Sequence, residues 1–432
     1  MLHKRNIQKV TILGSGVMGS RIACLFAGVG VQVLLLDIPT PDSKDSKSKN
    51  KIVNDALAAA VKSSPSPLYT KDVLNNINTG NFEDNMKDIA VSDWIIEVVI
   101  ERLDIKKQVF EQVEKFRKPG TLISSNTSGI PIHLMAEGRS DDFKKHFCGT
   151  HFFNPPRYLR LLEIIPTEFT DKDVVDFLMH YGDLFLGKTT VLCKDTPAFI
   201  ANRIGVFSIM SIFHIMEKLD LNIDEIEALT GTIFGRPKSA TFRTADVVGI
   251  DTLVKVAIGV KENCPDDESK EIFTIPAWLQ KMVDNKWLGD KTGQGFFKKT
   301  KGADGQKEIL SLNLKTFEYA PRQKPKFATI TTAKPIDDLK QRIKILFSGK
   351  DKAGEFYRQF HYSLFSYISQ RIPEISDELY RIDDAMKAGF GWEIGAFETW
   401  DVFGVKETVE AMYKAGYEVA PWVKDFIADG NT

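Results

Sequence analysis

The sequence predicts an α/β domain with a doubly wound, mostly parallel sheet, followed by an all-α domain that is present as two related repeats. Over the first half of the chain, apolar strand-like runs alternate with helix-like runs, the pattern of a parallel sheet covered by helices. From Ile200 to about Gly295 the pattern is helical, without clear strands. Residues 346–432 then repeat part of that helical pattern.

A strand, a glycine-rich turn, a helix and a second strand follow one another between residues 8 and 37. Gly14 permits the tight turn, Gly16 lets the backbone approach a pyrophosphate, and Gly19 lets helix and strand pack closely. Asp37 ends the second strand, where its carboxylate can bind a ribose 2′-hydroxyl and would repel a 2′-phosphate. The pattern therefore predicts a Rossmann-like domain that binds NAD rather than NADP.

Beyond Asp37 the alternation continues with a predicted strand over 94–100, a helix over 103–116 and a strand over 121–125. Glu101 and Ser128 each follow a strand end, the edge at which doubly wound sheets bind ligands. Either residue could instead be a helix cap or an ordinary surface residue.

His151 and Glu163 lie in two apolar, strand-like runs, 147–153 and 159–165, separated by a break at Pro155. Two adjacent strands would bring the imidazole and the carboxylate within hydrogen-bonding distance. The carboxylate would fix the ring tautomer and stabilise the imidazolium when His151 takes a proton. The competing interpretation is a core histidine whose hydrogen bonds are satisfied.

Composition argues against several classes of partner. Lys and Arg number 57 against 58 Asp and Glu, a net charge of −1, so neither nucleic acid nor an anionic membrane is expected. The longest apolar helix candidate, Ile204–Met216, is shorter than a membrane span. The N-terminus runs directly into the first strand and leaves no room for a signal peptide, so we expect a cytoplasmic protein.

No metal site is predicted. The seven histidines are dispersed, and the four cysteines form no C-x-x-C pair, as expected in a reducing compartment.

Five motifs in order make the chain resemble the L-3-hydroxyacyl-CoA dehydrogenase family, in its long bacterial form. They are Gly14-x-Gly16-x-x-Gly19, Asn126-Thr127-Ser128, His151 to Pro155 with Glu163, Asp195-Thr196-Pro197 with Asn202-Arg203, and Lys291 to Phe296. The resemblance implies NAD-dependent oxidation of L-3-hydroxyacyl-CoA to 3-oxoacyl-CoA in fatty-acid β-oxidation. It does not extend to the enoyl-CoA hydratase region that long relatives carry.

The resemblance also implies a role for each matching residue. His151 would be the catalytic base and Glu163 its partner, while Ser128 and Asn202 would contact the reacting oxygen or position the substrate. The NAD site would be lined by Gly14, Gly16, Met18, Gly19, Asp37, Glu101, Lys106, Ser128, Asn154 and Lys291.

The chain departs from the family where most members have Pro-Met-Gly-Pro, because Gly235–Phe242 reads Gly-Arg-Pro-Lys-Ser-Ala-Thr-Phe. This puts the shape of the acyl pocket and the chain-length preference in doubt. Two other functions stay open: a non-catalytic, crystallin-like homologue, and another NAD-dependent β-hydroxyacid dehydrogenase.

A cluster of lysines follows the second strand and could meet CoA phosphates, although such a cluster is usually a solvated face. Its members are Lys44, Lys47, Lys49, Lys51 and Lys62.

The last part of the chain contains a partial internal repeat. Phe390–Gly404 repeats Phe234–Gly249 with one gap, and Gln370–Ile372 echoes Asn202–Ile204. We therefore expect an NAD-binding domain over 1–194, a first helical domain over 195–300, a linker over 301–345, and a second, degenerate helical repeat over 346–432. A second copy could cover the apolar face through which single-repeat relatives dimerise, giving a monomeric pseudo-dimer.

Overall fold

The computed structural model describes residues 5–43, 45–302 and 305–431 of the chain. The chain divides into two compact units, with the boundary between Phe199 and Ile200. The sequence placed this boundary between residues 194 and 195. The difference arises because the short segment after the last strand packs back onto the first unit.

The first unit contains one eight-stranded sheet in the order β3-β2-β1-β4-β5-β6-β7-β8. Every neighbouring pair is parallel except β6 and β7, which confirms the predicted doubly wound, mostly parallel sheet. Val10, Ile12 and Trp94 are at most 1% exposed, as expected for strands covered on both faces. The strands are β1 (Lys9–Leu13), β2 (Gln32–Asp37), β3 (Ile77–Asn81), β4 (Trp94–Glu97), β5 (Leu122–Ser125), β6 (Phe147–Phe152), β7 (Leu161–Pro166) and β8 (Thr189–Leu192).

The helices of the first unit connect these strands. Three of them are amphipathic helices of twelve to fourteen residues that bury one face: α3, α5 and α8. The helices are α1 (Val17–Gly28), α2 (Ser46–Lys49), α3 (Lys51–Lys62), α4 (Phe82–Asn85), α5 (Leu103–Phe116), α6 (Ile132–Ala136), α7 (Asp141–Lys145) and α8 (Lys172–Leu184).

The second unit is mainly helical, as predicted. Its long helix α9 is apolar nearly all round because other helices cover it: the rings of Phe207 and Tyr367 stack at 3.7 Å, and Phe390 packs against Gly205. The helices are α9 (Ala201–Lys218), α10 (Ile223–Thr230), α11 (Phe242–Val248), α12 (Ile250–Asn263), α13 (Ala277–Asp284), α14 (Ala328–Ala333), α15 (Leu339–Ser348), α16 (Lys352–Gln370), α17 (Leu379–Phe390), α18 (Ala396–Phe403), α19 (Val405–Lys414) and α20 (Pro421–Ala428).

The prediction of a linker over 301–345 was wrong, because most of this stretch is folded. Strands β9 (Phe297–Lys301), β10 (Lys307–Leu312) and β11 (Tyr319–Pro321) form an antiparallel sheet, and α14 and most of α15 follow. Several lysines occupy the exposed positions of these strands, so the composition indicated a linker where the backbone is paired. Residues 303 and 304 lie outside the described residues.

One proposed correspondence between the two repeats was also wrong. Asn202 and Arg203 lie in the first turn of α9, whereas Gln370 ends α16 and Arg371 follows it. The two short segments therefore occupy opposite ends of their helices, and their similarity does not reflect equivalent positions.

Candidate active site

His151 and Glu163 face each other across the single antiparallel pair of the sheet. β6 and β7 pair in a register that places His151 opposite Glu163. His151 Nδ1 lies 2.7 Å from Glu163 Oε2, and the two side chains are 5% and 0% exposed. Because a carboxylate accepts hydrogen bonds, Nδ1 carries the hydrogen and Nε2 is the atom that can take a proton. The structure thus brings together the two residues that the sequence paired.

Ser128 lies at the other end of the imidazole. Its Oγ is 3.1 Å from His151 Nε2, and the residue is exposed, whereas His151 is buried. The serine belongs to the loop that follows β5, at the edge of the sheet where doubly wound folds bind ligands. A hydroxyl on an incoming ligand would therefore meet both Ser128 and the accepting nitrogen of His151.

Two phenylalanines hold the imidazole ring. The ring centroids of Phe153 and Phe199 lie 4.6 Å and 5.7 Å from that of His151. The chain reaches Phe199 through left-handed backbone at both Ala198 (φ 63°) and Phe199 (φ 52°), a costly conformation for residues with a side chain. Phe199 lies between the Asp195-Thr196-Pro197 and Asn202-Arg203 parts of the sequence motif, but nothing in the sequence showed that this ring would contact His151.

Glu101 fixes the loop that carries Ser128. Its Oε1 accepts hydrogen bonds from the backbone N–H groups of Ser128 (3.0 Å) and Gly129 (3.3 Å), and from the Thr127 hydroxyl. Burial alone would raise the pKa of Glu101, but the charge of Lys106 and the hydrogen bonds from Thr127 and Ser128 outweigh it and lower the pKa. Glu101 is therefore ionised and keeps the loop in place.

Lys106 connects Glu101 to Glu97, a residue that sequence analysis missed. Its Nζ lies 2.7 Å from Glu97 Oε1 and 3.3 Å from Glu101 Oε2. Glu97 ends β4 and also accepts hydrogen bonds from Ser125 Oγ (2.5 Å) and Val99 N (2.7 Å). Burial raises the pKa of Glu97, and these donors oppose the rise. The sequence did contain a signal for Glu97, because it is an acidic residue inside an otherwise apolar predicted strand.

The glycine-rich turn has the shape that a dinucleotide requires. Gly14 has φ +107°, and a Cβ there would lie 2.6 Å from the Val98 carbonyl oxygen. A Cβ on Gly19 would lie 1.8 Å from the Gly14 carbonyl oxygen, so only glycine allows this close packing. No described atom lies within 4 Å of a Cβ built on Gly16, which leaves room for a pyrophosphate at the start of α1.

The remaining predicted cofactor residues of the first unit have mixed surroundings. Asp37 Oδ2 accepts hydrogen bonds from Ser15 N (2.6 Å) and Ser15 Oγ (2.5 Å), which brings the carboxylate to the glycine-rich turn. Met18 is partly buried against the core of the unit. Asn154 Oδ1 accepts a hydrogen bond from Arg21 at 2.5 Å on the surface. Contact of these residues with NAD stays a prediction.

Asn202 and Lys291 belong to the second unit. Asn202 is half-buried in the first turn of α9. Lys291 is about half-exposed and forms an ion pair with Asp251. Their roles toward substrate and cofactor also stay predictions.

The lysine cluster after β2 is only partly described. Lys49 pairs with Glu83 at 2.9 Å and with Asp84 at 3.1 Å, and Lys51 pairs with Asp55. Lys44 lies outside the described residues. Because two of the five lysines have carboxylate partners, a CoA-binding role for the cluster loses support.

Two kinds of feature are absent from the part of the chain that the structure describes. No three His, Cys, Asp or Glu side chains there converge as a metal ion would require. None of its helices combines the length and the apolar character that crossing a bilayer demands.

Comparison with known proteins gives matches along most of the chain. The family described as 3-hydroxyacyl-CoA dehydrogenase, NAD binding domain, matches residues 9–196. The family described as 3-hydroxyacyl-CoA dehydrogenase, C-terminal domain, matches residues 199–299.

Individual relatives extend these matches. A probable 3-hydroxyacyl-CoA dehydrogenase of Bacillus subtilis is 44% identical over all of this chain, which spans 55% of that relative's length. A relative of the same description from Deinococcus radiodurans is 46% identical over 68% of this chain and 84% of its own. The solved 3-hydroxybutyryl-CoA dehydrogenase of Escherichia coli K12 shares the fold, with a TM-score of 0.68 at 22% identity over 97% of this chain and 98% of that one.

Proposed function

The chain belongs to the 3-hydroxyacyl-CoA dehydrogenase family, and from this we propose that it oxidises L-3-hydroxyacyl-CoA to 3-oxoacyl-CoA with NAD in fatty-acid β-oxidation. The observation that carries the proposal is the buried His151–Glu163 pair, whose accepting nitrogen faces the exposed hydroxyl of Ser128. A base of this kind is what a secondary alcohol needs in order to lose its proton.

In the proposed reaction the substrate hydroxyl gives its proton to His151 Nε2. NAD would supply the acceptor for the hydride that leaves C3, and loss of this hydride oxidises the carbon by two electrons. Glu163 is fully buried beside Nδ1 and stabilises the imidazolium that forms. Ser128 donates to the oxygen on which charge develops in the reverse direction.

Gly14, Gly16 and Gly19 would hold the pyrophosphate, and Asp37 would hold the adenosine ribose. The positive φ at Gly14 and the open space at Gly16 support this assignment. Glu101 and Lys106 act from behind the loop that carries Ser128, and they hold that loop against the sheet.

The test is oxidation of NADH with acetoacetyl-CoA, followed by absorbance. We expect turnover by the wild type and a loss of about 10²–10⁴ in kcat for His151→Ala. His180→Gln is the matched control, because His180 is exposed on α8 and should leave the rate unchanged. A folded wild type that binds NADH without turnover would overturn the proposal and favour a non-catalytic homologue. NADH consumption that does not require a CoA thioester would favour another β-hydroxyacid dehydrogenase.

We also propose that residues 346–432 arose by duplication of the helical domain and act as an internal partner. Glu227 and Asp383 each lie eight residues before a left-handed glycine, Gly235 (φ 64°) and Gly391 (φ 66°). Each carboxylate accepts two backbone N–H bonds at the start of the following helix, from Thr241 and Phe242 in one case and from Phe397 and Glu398 in the other.

An internal partner avoids the entropy cost of bringing two chains together, so we propose a monomer in solution. Asp267 supports this close association, because it accepts hydrogen bonds from Arg203 at 2.6 Å and from Arg371 at 2.9 Å. Light scattering gives the test: a dimer mass that survives dilution would contradict the proposal.

We further propose a cytoplasmic location. All four cysteines are buried and none forms a disulfide, which suits a reducing compartment.

A further inference from the structure

A small cavity lies inside the helical unit, where the segment between α10 and α11 meets α16. Its volume is about 60 Å³. Its walls are largely apolar and aromatic, with Ile209, Ile212, Phe234, Phe356, Phe360 and Trp392 among them. Arg236, which stands in the segment where this chain departs from the family pattern, also lines it.

Arg236 brings buried hydrogen-bond donors without partners into this cavity. The residue is only 8% exposed, and neither Nη1 nor Nη2 has a hydrogen-bond partner within the described residues. The guanidinium carbon lies 3.1 Å from the centroid of the Trp392 ring, which holds the group by a cation–π contact. Stacking uses the face of the guanidinium and leaves the in-plane N–H groups of Nη1 and Nη2 unused. Burial lowers the pKa of Arg236, and the charge of Asp383 only partly opposes that fall, so an anion in the cavity would further stabilise the guanidinium cation.

His361 supplies a second unused polar atom. The ring is 1% exposed, and Nδ1 lies 2.7 Å from the Tyr357 carbonyl, so Nδ1 carries the hydrogen. Burial lowers the pKa of His361 to about 3, which keeps the ring neutral and leaves Nε2 as an acceptor. Nε2 has no partner among the described residues. Arg236 and His361 both lie against the ring of Phe234, at 5.6 Å and 4.7 Å from its centroid.

The hydroxyl groups that line the cavity already donate elsewhere. Ser208 donates to Ile204 O, Thr230 to Ile226 O, and Tyr357 to Leu229 O, at 2.7–2.8 Å. Among the described side chains of the lining, the buried polar atoms without any hydrogen-bond partner are therefore the two Nη donors of Arg236 and the Nε2 acceptor of His361. These two groups specify a ligand that combines an anion with a hydroxyl donor.

We propose that this cavity binds a short hydroxycarboxylate, with its carboxylate on the Arg236 guanidinium and its hydroxyl donating to His361 Nε2. The planar fork of Arg236 matches the two oxygens of a carboxylate. Aromatic walls disfavour a phosphate, whose larger charge is costlier to remove from water. One water molecule needs roughly 10–15 Å³ of cavity volume. The cavity of about 60 Å³ therefore suits a ligand of about three or four carbons. The site goes beyond the proposed dehydrogenase reaction and does not depend on it.

Lactate is a suitable probe, and titration calorimetry with the full chain measures its binding. We expect saturable binding of lactate, and no saturable heat from chloride at the same ionic strength. Arg236→Met should weaken lactate binding at least about tenfold, since it removes the charge-assisted hydrogen bonds to the carboxylate. Lys238→Met is the matched control, because Lys238 is exposed two residues away and its loss should not change lactate affinity.

Two further variants separate the parts of the proposal. Arg236→Lys keeps the charge without the fork and should also weaken lactate binding, which provides a second variant if Arg236→Met does not fold. His361→Phe should weaken lactate binding but leave propionate, which has no hydroxyl, unaffected. His151→Ala should bind lactate as the wild type does. Absence of saturable lactate binding by the wild type, or equal affinity in wild type and Arg236→Met, would overturn the proposal.

Discussion

The ammonium group of Lys106 lies 2.7 Å from the carboxylate of Glu97, and the two side chains are only 1% and 0% exposed. This buried pair joins the end of β4 to α5. Through Glu101, 3.3 Å from the same ammonium, it also supports the loop that carries Ser128. The pair therefore links stability of the first unit to the geometry around His151.

Removing one member of this pair should be costly. Lys106→Met leaves Glu97 buried without its partner, and we expect a loss of about 3–5 kcal/mol in the free energy of unfolding, measured with urea. The double variant Glu97→Gln with Lys106→Met should recover much of that loss. Lys115→Met, on the exposed face of α5, is the control and should change stability little. A single variant as stable as the double one would show that the pair does not act in this way.

Glu163→Gln should slow the reaction and change its dependence on pH. The amide cannot stabilise the imidazolium, so we expect kcat to fall by roughly tenfold or more. The acid limb of the pH profile of kcat/KM should move to lower pH, an effect that a merely structural role would not produce. Glu168→Gln, an exposed neighbour after β7, should leave the profile where it is.

Asp37→Asn should weaken the binding of NADH more than the binding of NADPH. Loss of the charged acceptor at the end of β2 should raise the KM for NADH by about tenfold. It should also reduce the preference of the enzyme for NADH over NADPH. Steady-state kinetics with both nucleotides provide the measurement, and Asp42→Asn, at an exposed site, serves as the control. An unchanged KM in the folded Asp37 variant would remove this residue from the cofactor site.

Stability of the helical unit should fall as pH rises. Burial raises the pKa of Glu227 to about 7, above the value of 4.5 that it has when exposed. The folded state therefore holds this proton more tightly, and its contribution is present below about pH 4.5 and lost as pH rises through about 7. We expect the free energy of unfolding to drop between about pH 5 and about pH 8, by on the order of 2 kcal/mol for this group.

The matched variants for that pH series are Glu227→Gln and Glu262→Gln. Glu227→Gln should reduce the pH dependence of the free energy of unfolding, because an amide does not titrate. The second should leave it unchanged, because Glu262 is exposed on α12. Asp246 and Asp383, whose pKa values are raised by burial to about 6, should contribute in the same direction in both variants.

Local sequence patterns predicted much of the fold. The 3.6-residue periodicity of α5 gave its bounds, Leu103–Phe116, and the two apolar runs around Pro155 became β6 and β7. The facing positions of His151 and Glu163 followed from adjacency alone. Periodicity is a property of neighbouring residues, so it records elements and their faces well.

Contacts between distant segments were harder to foresee. Glu97 was contained in a predicted apolar strand, and only the path of the chain into α5 shows that Lys106 meets it. The contact of Phe199 with His151 depends on left-handed backbone at Ala198 and Phe199, and neither position has the glycine that would have indicated such a conformation. The strands within the predicted linker depend on pairing among themselves, and a lysine-rich composition conceals such pairing.

The shared carboxylate of Asp267 also sets an order of events during synthesis. Arg371 follows Asp267 by 104 residues, so the ribosome delivers the second arginine after the first helices of the unit have already emerged. At a translation rate of ~5–20 residues per second, this interval is roughly 5–20 s. During that time Phe207 lacks the ring of Tyr367, which later stacks on it. The nascent chain thus presents an unfinished apolar surface, and a chaperone that shields it would act before residue 371 is made.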